Sequence, residues 1–158
     1  MDFSLDATTT FDAPRDLVFR TITNIVRLPD WNAEIAKVIE VGPDLTTGAE
    51  WVVEIRAMHT HWTSRSTVLE IDADQGRFAY RSQSDDGNPS YADWRWVLSE
   101  VDGRCRVNVS VSTHPRTLFR KAIASRIRPA GLRRAMEQSL MELGNQFTDG
   151  GATGAERA

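Results

Sequence analysis

The sequence predicts an α+β domain in which a seven-stranded antiparallel sheet curves around a long C-terminal helix. Between residues 2 and 112, apolar and polar residues alternate in seven short stretches, as in strands with one buried face. Between residues 130 and 147, apolar residues recur at helical spacing instead. Because strands and helices occupy separate parts of the chain, the helices are expected to pack on one face of one sheet. The 158 residues fit a single domain.

The first strand and two short helices are predicted before residue 36. Residues 2–11 alternate, which indicates a half-buried strand. Pro14 suits the first helical position, and Pro29 ends the helix that follows it. A second helical piece, anchored by Trp31, is expected at residues 30–35.

Six further strands are predicted after the helices, joined by turns rich in Gly, Pro, Asn and Asp. The tightest turn is the Val-Asp-Gly sequence at residues 101–103, which is typical of a hairpin. Since strands joined by short connections pair with each other, the six form an antiparallel meander. They comprise residues 37–41, 49–58, 61–71, 77–82, 91–98 and 105–112.

The chain is predicted to end in helices. Residues 115–128 show helical spacing of apolar residues, Pro129 interrupts them, and a long helix follows over residues 130–147. The Gly- and Ala-rich residues 149–158 are predicted to be a disordered tail, so the domain is assigned to residues 1–148. The apolar stripe of the long helix consists of Leu132, Met136, Leu140, Leu143 and Phe147.

Composition excludes several classes of function. No apolar run reaches the roughly 18 residues that cross a membrane, and the N-terminus lacks signal-peptide features, so a cytoplasmic location is expected. The single Cys105 excludes an intramolecular disulfide and a cysteine zinc cage. The sequence has no Gly-rich phosphate loop, no Gly-x-Ser-x-Gly elbow and no His-Glu-x-x-His pair. No cofactor is expected.

Charge is unevenly distributed along the chain. Residues 103–136 contain nine basic and no acidic residues, which leaves 10 basic and 22 acidic residues, or −12, for the rest. This basic stretch is either a solvated helical face or a docking surface, at residues 115–134, for a membrane or an acidic partner. It lacks interleaved aromatic residues and the chain has a pI of about 5.6, which disfavours nucleic-acid binding.

Three segments resemble the START-like (SRPBCC) superfamily, in particular its polyketide cyclase/dehydrase-like group of small helix-grip proteins. They are residues 11–41, the Trp-Arg-Trp strand at residues 94–96 and residues 134–147. The resemblance covers residues 2–148 and implies the helix-grip fold of Bet v 1 and START domains. That family binds lipids, polyketides and other apolar molecules between the sheet and the last helix. Some members cyclise or dehydrate the ligand, and others only carry it.

The resemblance gives limited support to catalysis. The aromatase/cyclase branch uses an arginine on the fourth strand and a tyrosine after the first helices. The place of the arginine falls near Ser66 or Thr67, one residue from Arg65, and the place of the tyrosine falls on Ile35. Both departures disfavour an enzyme, because a shift of one residue turns a strand side chain to the other face. Glu54, Arg65, Asp93 and Arg95, the other ionisable candidates, lie on strand faces predicted to point outward.

Aromatic residues on the strands are the main candidates for ligand contacts. Five Trp in 158 residues is more aromatic surface than a sheet of this size needs, although each one alone is better explained as core. Hydroxyl groups on the same faces could orient a ligand in a mostly apolar pocket. The predicted ligand-binding residues are Trp51, Ile55, Trp62, Ser64, Ser66, Tyr80, Trp94, Trp96, Met136 and Leu140.

The three histidines have several possible roles. His59 and His61 are two residues apart, a spacing that places strand side chains on one face. In the helix-grip order, the turns that carry them and the strand end that carries His114 lie at one rim of the cavity. A rim position, with a part in ligand entry or pH response, is weighed against ordinary exposed turns. No metal site is expected, since the spacing matches no metal motif. A monomer or a homodimer is compatible with the sequence.

Overall fold

The computed structural model describes residues 2–57, 59–117 and 128–157. Seven antiparallel strands form one sheet in the order β1-β7-β6-β5-β4-β3-β2, which confirms the predicted fold class. Except for the β1–β7 pair, each strand pairs with its neighbour in sequence, as the predicted meander requires. The strands are β1 (Phe3–Phe11), β2 (Ile35–Val41), β3 (Glu50–Ala57), β4 (Thr60–Asp72), β5 (Arg77–Ser84), β6 (Tyr91–Val101) and β7 (Arg104–His114).

Two short helices follow β1, as predicted, but the second lies elsewhere. Helix α1 (Arg15–Thr23) has Pro14 as its N-cap, and a 3-10 helix (Ile25–Asp30) contains Pro29. Residues 31–34 are therefore a loop and not the expected helix. The Asn32 side chain accepts a hydrogen bond from the Glu34 N–H at 3.1 Å, a local turn that competes with helix and directs the chain into β2.

The C-terminal helix, α2 (Arg128–Arg157), buries the predicted apolar stripe. Leu132, Met136, Leu140 and Leu143 are all buried in the core with the inward-facing valines of β7. Gly144 brings the helix close to β1, because a Cβ there would lie 3.1 Å from the Phe11 ring. Each of these leucines contributes about 1.5–3 kcal/mol through burial.

Helix α2 extends further than the sequence predicts at its C-terminal end. The backbone stays helical to Arg157, where a tail without structure is expected after residue 148. At its other end Pro129 lies in the first turn, where a missing N–H costs nothing. The domain boundary at residue 148 stays a prediction.

The predicted helix at residues 115–128 falls mostly on residues 118–127, which lie outside the described residues. In the described parts of the chain, no helix is long and apolar enough to cross a membrane. The cytoplasmic location stays a prediction.

Candidate functional site

A cavity of about 460 Å³ lies between the concave face of the sheet and Leu132 of α2. Small-molecule sites in proteins usually have volumes of roughly 300–1,000 Å³. The residues at one end of all seven strands line the cavity, and several of them are partly exposed, so we place its mouth there. These residues are Phe3, Ile35, Ile55, Thr60, Ser84, Tyr91 and His114.

An aromatic wall, formed by Trp51, Tyr80 and Trp94, lines the inner part of the cavity. Tyr80 and Trp94 are register partners on β5 and β6, and the Trp51 and Tyr80 ring centroids are 5.0 Å apart. Burial raises the pKa of Tyr80, and a hydrogen bond with the Trp96 side chain opposes this in part. The Tyr80 phenol is therefore neutral at physiological pH.

A hydroxyl row lies between the aromatic wall and the mouth. It consists of Ser64 and Ser66 on β4 and their cross-strand partners on β5, Ser84 and Ser82 respectively. The Ser64 hydroxyl donates to the backbone oxygen of Gln83 at 3.1 Å. The row is polar but uncharged, so the lining changes from aromatic to polar toward the mouth.

A cluster of charged and aromatic groups lies beside the mouth, at the outer face of the ends of β5, β6 and β7; Tyr91 and His114 also border the cavity, whereas Arg81 and Asp93 do not. The Tyr91 ring stacks on the His114 ring, with 4.6 Å between their centroids. The guanidinium of Arg81, on β5, lies 4.0 Å from the centroid of the Tyr91 ring. His114 Nδ1 lies 2.9 Å from an Asp2 carboxylate oxygen, and this hydrogen bond lowers the pKa of Asp2. Arg81 pairs with Asp93 through two contacts of 2.7 and 2.8 Å.

Glu34 lines the cavity at its other edge, next to the start of β2. Among the described residues that line the cavity, it is the only carboxylate, and His114 is the only imidazole. A carboxylate and an imidazole are the usual groups that accept or donate a proton in enzymes. The sequence interpretation missed Glu34, because it placed residues 30–35 in a helix.

Seven of the ten predicted ligand-binding residues line this cavity, and three do not. Trp96 is 4% exposed and packs edge-on against Trp31 at 5.7 Å, and Met136 lies beside them. Leu140 faces β1 on another side of α2. The seven that line the cavity are Trp51, Ile55, Trp62, Ser64, Ser66, Tyr80 and Trp94.

Only one of the three histidines lines the cavity. His114 does, but His61 points from the outer face of the sheet, 3.7 Å from Glu54. Successive residues of a strand face opposite ways, so Trp62 inside requires His61 outside. His59 is an exposed turn residue with a φ of 60°. In the described parts of the chain, no three His, Cys, Asp or Glu side chains are grouped closely enough to hold a metal ion.

The ionisable candidates from the strands all point outward, as the alternation predicts. Glu54 lies near Lys37 and Arg56, Asp93 pairs with Arg81, and Arg95 contacts Glu70 at 3.2 Å. Arg65 contacts Asp85 at 3.0 Å and lies near Glu40 and Glu50. None of these four lines the cavity. At the positions that correspond to the arginine and the tyrosine of the aromatase/cyclase branch, this chain has Ser66 and Ile35. Both of these residues line the cavity.

Several other lining residues were also missed by the sequence interpretation. Ser82 and Ser84 continue the alternation of Tyr80 along β5, so the same periodicity identifies them once the strand is extended by two residues. Ser90 and Tyr91 lie where the β5–β6 loop enters β6. No local pattern distinguishes such loop residues from other exposed polar residues.

Comparison with known proteins gives a family match. The family model described as "Polyketide cyclase / dehydrase and lipid transport" matches residues 2–147. No curated protein matches the chain.

Solved structures share the fold at low sequence identity. The aromatase/cyclase Zhui from Streptomyces sp. R1128 is 17% identical, over 92% of this chain and 93% of its own, with a TM-score of 0.76. The major latex-like protein 151 from Panax ginseng is 10% identical, over 92% and 97%, with a TM-score of 0.71. A norcoclaurine synthase variant from Thalictrum flavum, in complex with a transition-state analogue, is 14% identical, over 94% and 97%, with a TM-score of 0.67.

Proposed function

Because the chain belongs to the polyketide cyclase/dehydrase and lipid transport family, we propose that it binds a hydrophobic or amphipathic small molecule in the cavity. The ligand is lipid-like or polyketide-like, and its binding needs no cofactor. The observation that carries this proposal is the gradient of the lining, from the aromatic wall to the polar, uncharged hydroxyl row nearer the mouth. An amphipathic molecule matches this gradient with its apolar body inside and its polar end at the mouth.

A variant that fills the cavity tests this proposal. Ala92 lies on the concave face between Ser82 and Thr113, so the phenyl ring of Ala92→Phe would occupy ligand space. Val97, on the same strand, is 38% exposed, and Val97→Phe adds a ring outside the cavity. We expect the neutral fluorescent probe N-phenyl-1-naphthylamine to bind wild type and Val97→Phe alike, and Ala92→Phe weakly or not at all. Binding that is equal in all three proteins, or absent from wild type, would contradict the proposal.

A second candidate function, cyclisation or dehydration of the bound ligand, is favoured by one observation, the Glu34 carboxylate in the cavity lining. Both reactions require a group that removes a proton from carbon or delivers one to a leaving oxygen. Glu34 is suited to this role.

The enzyme hypothesis is tested with a poly-β-ketone mimic and product analysis by mass spectrometry. Glu34→Gln keeps the shape of the side chain and removes its basicity. We expect Glu34→Gln to bind N-phenyl-1-naphthylamine normally but to lose turnover by about 100-fold or more. Turnover that is equal in wild type, in Glu34→Gln and in buffer would leave binding as the function.

A further inference from the structure

We propose that the mouth of the cavity binds the anionic end of an amphipathic ligand and that the Arg116 guanidinium is the cation that recognises it. The ligand class is a monoanion with an apolar body, such as a carboxylate- or sulfonate-bearing amphiphile. This inference rests on the proposed function, because it assigns a charge to the molecule that occupies the same cavity.

Two hydrogen-bonding contacts hold Arg116 next to the mouth. Its backbone N–H donates to the Ser90 hydroxyl oxygen at 2.8 Å, and its Nη2 lies 3.4 Å from the Tyr91 hydroxyl. The guanidinium carbon is 5.6 Å from the Tyr91 ring centroid. Ser90, Tyr91 and the preceding Pro115 all line the cavity. Arg116 therefore lies at the rim of the opening, next to three residues that line the cavity, although it is not itself a lining residue.

The other basic side chains near the mouth already have acidic partners. Asp93 forms a bidentate pair with Arg81, and Asp2 is hydrogen-bonded to His114. Arg116 forms no ion pair with a carboxylate in the described parts of the chain, although the charge of Asp2 does influence it. Of the arginines near the mouth in the described parts of the chain, Arg116 is the one without a carboxylate partner, so its positive charge remains for an incoming anion.

Two neutral donors lie beside this charge. The hydroxyl oxygens of Tyr91 and Ser90 accept hydrogen bonds from Arg116 and keep their own protons to donate. Hydrogen bonds to an ionised acceptor are about twice as strong as those between neutral groups. A carboxylate or sulfonate at the mouth could thus accept from the guanidinium and from either hydroxyl.

The carboxylate of the cavity lining lies far from this position. Glu34 precedes β2, and five strand-to-strand steps separate β2 from β7. Since the sheet curves around the cavity, β2 and β7 lie on opposite sides of the mouth. An anionic end is therefore attracted to the β6–β7 side of the mouth, where Arg116 lies, and repelled from the β2 side.

Two probes that differ only in charge test the inference. N-phenyl-1-naphthylamine is neutral, and 1-anilinonaphthalene-8-sulfonate is the same ring system with one sulfonate. Their affinities are measured by fluorescence titration for wild type, Arg116→Gln and Arg104→Gln, at low and at high salt. Arg104 is an exposed cation at the opposite end of β7, so its variant carries the same change in net charge away from the mouth.

We expect Arg116→Gln to lower the affinity for the sulfonated probe by about fivefold at low salt, which is the effect of losing one exposed charge pair. The affinity for the neutral probe should not change. High salt should reduce the difference, and Arg116→Lys should retain part of it. Dodecanoate should displace the neutral probe from wild type better than dodecanol does, and this preference should disappear in Arg116→Gln.

The inference is overturned if Arg116→Gln weakens both probes equally, weakens neither, or has no more effect than Arg104→Gln. Each of these outcomes leaves the proposed function standing, since the neutral probe still reports binding. If wild type binds neither probe, the proposed function itself fails, and the inference fails with it.

Discussion

Tyr80 and Trp94 face each other across β5 and β6, with their ring centroids 6.3 Å apart and their planes 16° from parallel. The Trp51 ring meets the other side of Tyr80 edge-on. Tyr80 is thus enclosed by aromatic groups, and the part of its surface that stays accessible borders the cavity. Such surroundings cannot stabilise a phenolate.

The first prediction concerns stability at alkaline pH. Burial raises the pKa of Tyr80 above its unfolded value of about 10, so the folded protein holds the phenolic proton more tightly than the unfolded chain does. The resulting stability is fully present below about pH 10 and is lost as the pH rises above it. We expect urea denaturation to show a smaller alkaline loss for Tyr80→Phe than for wild type. An alkaline loss in Tyr80→Phe that equals the loss in wild type would contradict the assignment.

The second prediction separates two tryptophans of the same strand. Trp96 is buried against Trp31, whereas Trp94 lines the cavity. Trp96→Leu should lower the free energy of unfolding by about 2–4 kcal/mol, as for other large core truncations, and leave probe affinity unchanged under conditions in which it is folded. Trp94→Leu should lower the free energy of unfolding by less than Trp96→Leu does, and it should lower the affinity for N-phenyl-1-naphthylamine. The reverse ranking of the two affinities would show that the cavity extends to Trp96.

The different positions of these two tryptophans also show how far the sequence could predict the site. Alternation along β6 correctly places Trp94 and Trp96 on the concave face, because the period of two is a local property of the strand. How deeply a side chain on the concave face is buried is not a local property, because it depends on residues that are distant in the sequence. Trp96 is covered because residues 31–34 form a loop, with Trp31 against it, and the sequence interpretation placed a helix there.

The same distinction applies to the mouth. The strand order implied by the resemblance predicts correctly that the ends of β3, β5 and β7 lie together, and His114 does line the cavity. The strand order could not correctly place both His61 and Trp62 at the cavity, since neighbouring residues of a strand point to opposite faces of the sheet. Arg116 and Glu34 follow or precede strands, where no periodicity specifies the direction of a side chain.

The third prediction concerns a turn on which the sheet depends. Gly76, between β4 and β5, has a φ of 66°, and a Cβ there would overlap the Leu98 carbonyl oxygen. Gly103, in the β6–β7 hairpin, has a φ of 76° with no atom within 4 Å of such a Cβ. Gly103→Ala should therefore cost about 1–2 kcal/mol for the left-handed backbone alone. Gly76→Ala should cost about 1–3 kcal/mol more, because the Leu98 backbone must move. Thermal or urea denaturation of the two variants measures the difference, and equal losses would contradict the close approach.

The fourth prediction concerns the basic stretch, residues 103–136. From the sequence, it is interpreted as either a solvated face or a docking surface at residues 115–134. Its apolar residues Phe119, Ile123 and Ile127 recur at helical spacing between basic residues, a pattern typical of helices that lie on membranes. Each Lys or Arg near an anionic leaflet contributes about 1 kcal/mol, so wild type should co-sediment with anionic vesicles at low salt and less at high salt. The double variant Arg120→Glu/Lys121→Glu should lose this binding.

The matched control for the docking prediction is Arg104→Glu/Arg106→Glu, which makes the same charge change on exposed positions of β7. If attraction depends only on the overall charge of the protein, both double variants should lose vesicle binding equally. If residues 115–134 form the docking surface, only the variant at Arg120 and Lys121 should lose it, because the apolar stripe and the charges must meet the bilayer together. Negligible binding of wild type to anionic vesicles at low salt would end the membrane hypothesis and leave an acidic partner protein or a solvated face for this stretch.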